Sequence, residues 1–165
     1  MASKKGIVIT IVILAAITGG SFTFWTIPQK TESTFVISDY GNYLDGVKNI
    51  HEILQEDIDT EFQNLVDGKI SPDEYITITK TTTSQVTAKI SEFVTSKPTK
   101  PWQESYISYM DALKKFNSYI IETEVYANLI KDNGSQEEVS DVLKKIETLK
   151  TGSLEMARMS DTQRP

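Results

Sequence analysis

"DGKISPDEY", residues 67–75, decides how this chain is read. Gly68 suits the left-handed backbone that ends a helix, Ser71 is an N-cap, Pro72 takes the first position of a new helix and Glu74 completes a capping box with Ser71. Ile70 and Tyr75 are spaced as a hydrophobic staple around that cap. One helix therefore stops, the chain reverses within a few residues and another starts, so the two lie antiparallel as neighbours. The stretch is structural punctuation and carries no chemistry.

Upstream of it, Tyr40, Tyr43, Leu44, Val47, Ile50, Leu54, Ile58, Phe62, Leu65 and Val66 recur every three or four residues, which predicts one buried face on a helix over 38–67. Gly41 and Gly46 weaken its opening turns. Downstream, Tyr75, Ile78, Thr82, Val86, Ile90 and Phe93 predict a helix over 72–96, although the threonine run of residues 77–83 lowers its propensity. "SKPTKP" then breaks the chain at Pro98 and Pro101. A third helix over 101–132 is rich in aromatics: Trp102, Tyr106, Tyr109, Phe116, Tyr119 and Tyr126. "DNGSQEE" is the last turn, where Asn133-Gly134 suits left-handed backbone and Ser135 with Glu138 forms a second capping box. Val139, Val142, Leu143, Ile146 and Leu149 carry a fourth helix, expected to fray after Gly152, and residues 159–165 read as a disordered tail. The expected fold is all-α: an antiparallel up-down-up-down four-helix bundle over 38–158.

Before the bundle stands "KKGIVITIVILAAITGGSFTFWTIPQK", residues 4–30. Residues 6–27 hold 22 positions without a charge, and a helix of that length spans roughly 33 Å, the thickness of a hydrocarbon core. Lys4 and Lys5 ahead of the span place a short tip, residues 1–5, in the cytoplasm, and the bundle follows on the outside of the cell membrane as a single-pass protein. Phe24 and Trp25 sit where an interfacial aromatic belt would. Ala15 with Gly19, and Ala16 with Gly20, form small-xxx-small pairs that let membrane helices approach closely. Residues 28–37 are a polar tether. The alternative is a secretory leader cut near Gly20.

The 165 residues include no cysteine, which excludes thiol nucleophiles, zinc ribbons, iron–sulfur clusters and covalent haem. Net charge is −6; without Lys4 and Lys5, the remaining 15 basic against 23 acidic residues give −8, a surface that repels nucleic acid. A di-iron site in a bundle needs two Glu-x-x-His motifs, and the single histidine, His51, has Lys48 three residues before it. "HEILQ" has Gln55 where a zinc protease needs its second histidine, so His51 reads as a flank of the buried face. A haem held by His51 with Met110, Met156 or Met159, and a copper site at Met156 and Met159, lack any further support in the sequence. Glu56, Asp57, Asp59 and Glu61 diverge around their helix and read as a solvated surface. Asn133-Gly134-Ser135 is an N-glycosylation sequon on the outward side. No cofactor is expected.

The aromatic content of the third helix points to a partner surface. Its six rings exceed what one face of a bundle helix buries, which leaves Trp102, Tyr106 and Tyr126 for contact, with "KPTKPWQESY" as the contact segment. The competing reading makes all six core residues.

Three family resemblances bear on function. "KKGIVITIVILAAITGGSFTFW", "ISPDEY" and "KPWQESYISYMDAL" resemble small membrane-anchored helical proteins of ammonia-oxidising archaea, among them accessory subunits of archaeal ammonia monooxygenase. That resemblance implies a non-catalytic role beside a copper enzyme, in a subunit holding no metal. Lys5-Gly6 before the apolar run is similar to the processing site of archaeal type IV pilin precursors, which implies a surface protein. The anchored bundle also resembles chemoreceptor ectodomains, which implies a sensory or solute-binding role. The expected function is an anchored, extracytoplasmic accessory subunit whose partners are the membrane and other subunits of a membrane complex.

Overall fold

Asp39 starts the first helix: its carboxylate accepts from the Asn42 N–H at 3.0 Å and from the Asn42 side chain at 2.6 Å. The computed structural model describes Ile37 and residues 39–165, all within the unit Phe35–Pro165. Four helices follow in order, α1 (Tyr40–Val66), α2 (Pro72–Thr95), α3 (Gln103–Lys131) and α4 (Gln136–Thr162), with a 3₁₀ turn at Lys100–Trp102 between α2 and α3. The leader, with Ala15, Ala16, Gly19, Gly20, Phe24 and Trp25, lies outside the described residues. No helix among the described residues is long and apolar enough to cross a membrane.

Both turns at the far end close as their sequences require. Gly68 has φ +68°, and the N–H groups of Gly68 and Lys69 bond to Leu65 and Asn64 carbonyls at 3.0 and 2.8 Å, a Schellman closure of α1. At the second turn the left-handed position is Asn133, φ +55°, while Gly134 is required for space, since a Cβ there would stand 2.9 Å from Leu129 Cδ2. Ser71 and Ser135 both form complete capping boxes, with Glu74 and Glu138. The hydrogen bonds from each serine hold the Glu74 and Glu138 carboxyls below their ordinary range.

Cross-helix pairs show that consecutive helices run antiparallel. Tyr75 donates to Thr123 at 2.8 Å between α2 and α3. Ser153 donates to the Ala112 carbonyl at 2.9 Å, and Ser105 to the Ser160 carbonyl at 2.8 Å, between α3 and α4. Lys48–Asp161 and Lys150–Asp59, each 2.7 Å, join α1 to α4. The α3–α4 seam is the closest, because Ser105, Ser108, Ala112, Gly152, Ser153 and Ser160 leave little side chain between the backbones.

The threonine run of α2 stays helical because its hydroxyls return to the preceding turn: Thr77 to the Asp73 carbonyl at 2.9 Å, Thr81 to Thr77 and Thr82 to Ile78 at 3.1 Å. Thr79 is buried and bonds Glu124 of α3 at 2.9 Å.

Three expectations are corrected. The fourth helix does not fray at Gly152, and residues 159–162 are helical, because this half docks through small residues and polar contacts that a hydrophobic pattern does not register. Ser160 is fully buried, Ser108 donates to Gln163 at 2.6 Å, and Arg164 pairs with Asp45 at 2.6 Å. In α1, Ile50 is exposed and His51 takes the buried place beside it. Leu143 of α4 is likewise exposed, with Ile146 carrying the burial.

Candidate functional site

The rings of α3 are where sequence placed the partner surface, and most of them turn inward. α3 packs against α1, α2 and α4, so it needs apolar groups on several sides. It supplies Phe116, Tyr119, Ile120, Tyr126 and Ala127 to one part of the core and Tyr106, Tyr109, Ala112 and Leu113 to the other. Tyr106 is 3% exposed and Tyr126 8%, so neither is a surface contact residue. The Tyr106 hydroxyl donates to the Tyr40 carbonyl at 2.9 Å, and the Tyr126 ring stands edge-on to Phe62 with centroids 5.1 Å apart.

Trp102 alone of the three stays half-buried. The α2–α3 connection positions it: Ser96 caps α2 through the Phe93 carbonyl at 2.7 Å, Lys97 turns left-handed at φ +42°, Pro98 bars further helix and Pro101 opens the 3₁₀ turn. The indole then lies over Gly41 of α1, where an added Cβ would be 3.3 Å from the ring, and between Tyr40 and Tyr106 at centroid distances of 6.4 and 6.3 Å. Gly41, which weakens a helix start when read from sequence, is here the space that seats Trp102.

Beside Trp102 a groove of about 280 Å³ opens between α2 and α3, lined by Phe93, Val94, Pro98, Gln103, Tyr106, Ile107 and Met110. Its rims are Val94 and Ile107, both exposed. Below it Tyr43 packs on Phe93 at 5.8 Å, and burial, with Glu92 nearby, pushes the Tyr43 hydroxyl up to about 12. A wider open groove of about 860 Å³ at the opposite end of the bundle is lined by Ile130, Val139, Leu143 and the polar residues around them.

His51 and Asp59 are both engaged across helices. His51 Nδ1 is 2.9 Å from the Tyr109 hydroxyl, its ring is 4.5 Å from that of Phe116, and burial lowers its pKa to about 4. Its Nε2 has no hydrogen-bond partner among the described residues. Asp59 departs from the solvated surface expected of it: it accepts from the Tyr119 hydroxyl and from Lys150, joining α1, α3 and α4. Tyr119 is buried and its hydroxyl is pushed up by that burial and by Asp59. Glu56 and Asp57 are exposed, and Glu61 accepts from Asn64 at 3.2 Å. Met110 and Met156 pack against the core, and Met159 is exposed. Among the described residues no three His, Asp or Glu side chains gather as metal ligands would. Asn133 is exposed and its side-chain amide makes no hydrogen bond among the described residues, while Ser135 of the same sequon is engaged in its capping box.

The site is thus an apolar groove between α2 and α3, with a half-buried indole at the same end of the bundle. No family model matches the chain, and no curated protein or solved structure does either.

Proposed function

We propose that this protein is a non-catalytic, single-pass membrane protein whose helical bundle stands outside the membrane as an accessory subunit of a larger membrane complex. The observation that carries the reading is the 22-residue uncharged run behind Lys4 and Lys5, long enough to span a bilayer and flanked as a retained anchor is flanked. The bundle supports it by what it does with its rings and polar groups. Tyr75, Tyr106, Tyr109 and Tyr119 are buried with their hydroxyls bonded across helices, so the interior is used for holding the helices together. What remains for function is surface: the groove at Val94 and Ile107, Trp102 beside it and the open groove at Ile130 and Leu143. The resemblance to accessory subunits of archaeal ammonia monooxygenase makes a copper membrane oxidase the partner we propose.

Intact mass of the native protein, extracted from carbonate-washed membranes in mild detergent and run on a native gel, tests this. A full-length mass within a larger complex is expected, and the co-migrating subunits identify the partner. Loss of the first twenty or so residues, with release into the soluble fraction, would overturn the anchor and favour a secreted solute-binding bundle. A mass starting after Gly6 would instead mark a processed pilin-like protein.

A further inference from the structure

We infer that the bundle is seated on the lipid surface by its α2–α3 end, with Val94 and Ile107 entering the headgroup region and Lys97 and Lys100 meeting lipid phosphates. The inference rests on the anchor proposed above, and three observations of the bundle carry it further.

The first is exposure. Val94, 64% exposed, and Ile107, 56% exposed, are the two most exposed large apolar side chains among the described residues. Both lie within about a turn of one end of the bundle, since Val94 is next to last in α2 and Ile107 is the fifth residue of α3. Pro98 and Met110 line the groove with them, and the half-buried Trp102 lies at the same end of the bundle against Gly41, Tyr40 and Tyr106. An indole beside aliphatic groups at a polar margin is the composition of a membrane-interface contact.

Charge is the second. Lys97 and Lys100 are exposed and enter no ion pair among the described residues. Of the acids at this end, Asp39 caps α1, Asp45 pairs with Arg164 at 2.6 Å, Glu92 with Lys89 at 2.9 Å and Asp161 with Lys48 at 2.7 Å, and Glu104 sits in the first turn of α3, where the helix N-terminus offsets its charge. The opposite end carries Asp132, Glu137, Glu138 and Asp141, and its Lys131 and Lys144 are paired with Asp73 and Asp141 at 2.6 and 3.1 Å. An anionic lipid surface therefore repels the second end, while the first is near charge balance and presents two unpaired lysines to lipid phosphates.

The third is where the chain enters. Ile37 is buried in the same cluster as Phe93, Tyr106 and Tyr109, at the α2–α3 end. Ten residue steps separate Ile37 from Ile27, the end of the apolar run, and they reach no more than about 36 Å when fully extended. That is shorter than the roughly 40 Å length of a 27-residue helix such as α1 or α4. If the apolar run lies in the bilayer, as proposed above, a connection of this length cannot leave the α2–α3 end a full helix length away from it.

The absence of native cysteine makes the test direct. The full chain carrying Val94→Cys, Ile107→Cys or Leu143→Cys is labelled with an environment-sensitive fluorophore and reconstituted in vesicles of phosphatidylcholine and phosphatidylglycerol, with a quencher attached near the lipid headgroup. All three positions are exposed, and circular dichroism confirms that each labelled protein keeps its helix content. Quenching at 94 and 107 is expected to be several-fold stronger than at 143, and to fall in the Lys97→Glu, Lys100→Glu background. Trp102 in a Trp25→Phe chain gives a label-free version of the same reading with brominated lipid. A chain that floats with the vesicles but is quenched equally at 94, 107 and 143 leaves the anchor standing and overturns the seat. A chain that stays at the bottom of the flotation gradient overturns both.

Discussion

His51 shows how a single residue carries a measurable property of the fold. It is enclosed by Tyr109 and Phe116, and with no acid at its ring nitrogens it is held neutral, its pKa lowered from 6.5 to about 4 by burial. Below pH 6.5 the unfolded chain binds a proton that the folded one does not, so stability is full above that pH and falls as pH drops toward 4. The protein is expected to be about 2 kcal/mol less stable to urea at pH 5 than at pH 7.5, and His51→Leu to flatten that slope whatever it does to stability at neutral pH. An unchanged slope in the variant would assign the effect to other groups. Asp59 is the second such residue. Asp59→Ala leaves the buried Tyr119 hydroxyl without its acceptor and should cost about 2 kcal/mol in denaturant titration, where a solvated surface aspartate would cost almost nothing. Sequence shows that His51 flanks the buried face, since it lies between Val47 and Leu54 in the helical repeat. It does not show that Asp59 reaches Tyr119, because their meeting depends on the register of α1 against α3.

At the scale of the element, helix starts were legible and one helix end was not. Ser71 and Ser135 cap as their four-residue motifs require, because a capping box is closed by groups within one turn of chain. Ser135→Ala should lower stability by about 1 kcal/mol. The C-terminal half of α4 is different. It carries few large apolar residues, and it is held by Ser153, Ser160, Asp161, Gln163 and Arg164, whose partners lie on α1 and α3. Deleting residues 159–165 should therefore cost about 2–4 kcal/mol and expose the 153–158 amides to hydrogen exchange, whereas a disordered tail could be removed without effect. Lys97 is the converse case, a lysine in left-handed backbone at the end of α2. Lys97→Gly should raise stability by up to about 1 kcal/mol, read as a higher urea midpoint at unchanged slope.

Across the whole bundle, α3 is the helix around which the others are arranged. It docks closely on α4 and on α2, while α1 is held off by the rings and polar groups between it and its neighbours. Native-state hydrogen exchange should show α1 amides opening before those of α3 and α4, and equal protection in all four helices would contradict this order. The sequence by itself determined that the described chain is four helices, where the turns fall and which side of each helix is mainly apolar, because caps, breaks and a 3.6-residue repeat are local properties written within a few residues of each other. It also determined the feature on which the functional proposal rests, the uncharged run behind Lys4 and Lys5. Only the tertiary structure decided that Tyr106 and Tyr126 are core while Val94 and Ile107 are exposed, that Gly41 makes room for Trp102, and that small residues draw the C-terminal half of α4 onto α3. Those outcomes depend on how many neighbours a helix has and how closely each approaches, and these follow from side-chain sizes on helices distant in sequence.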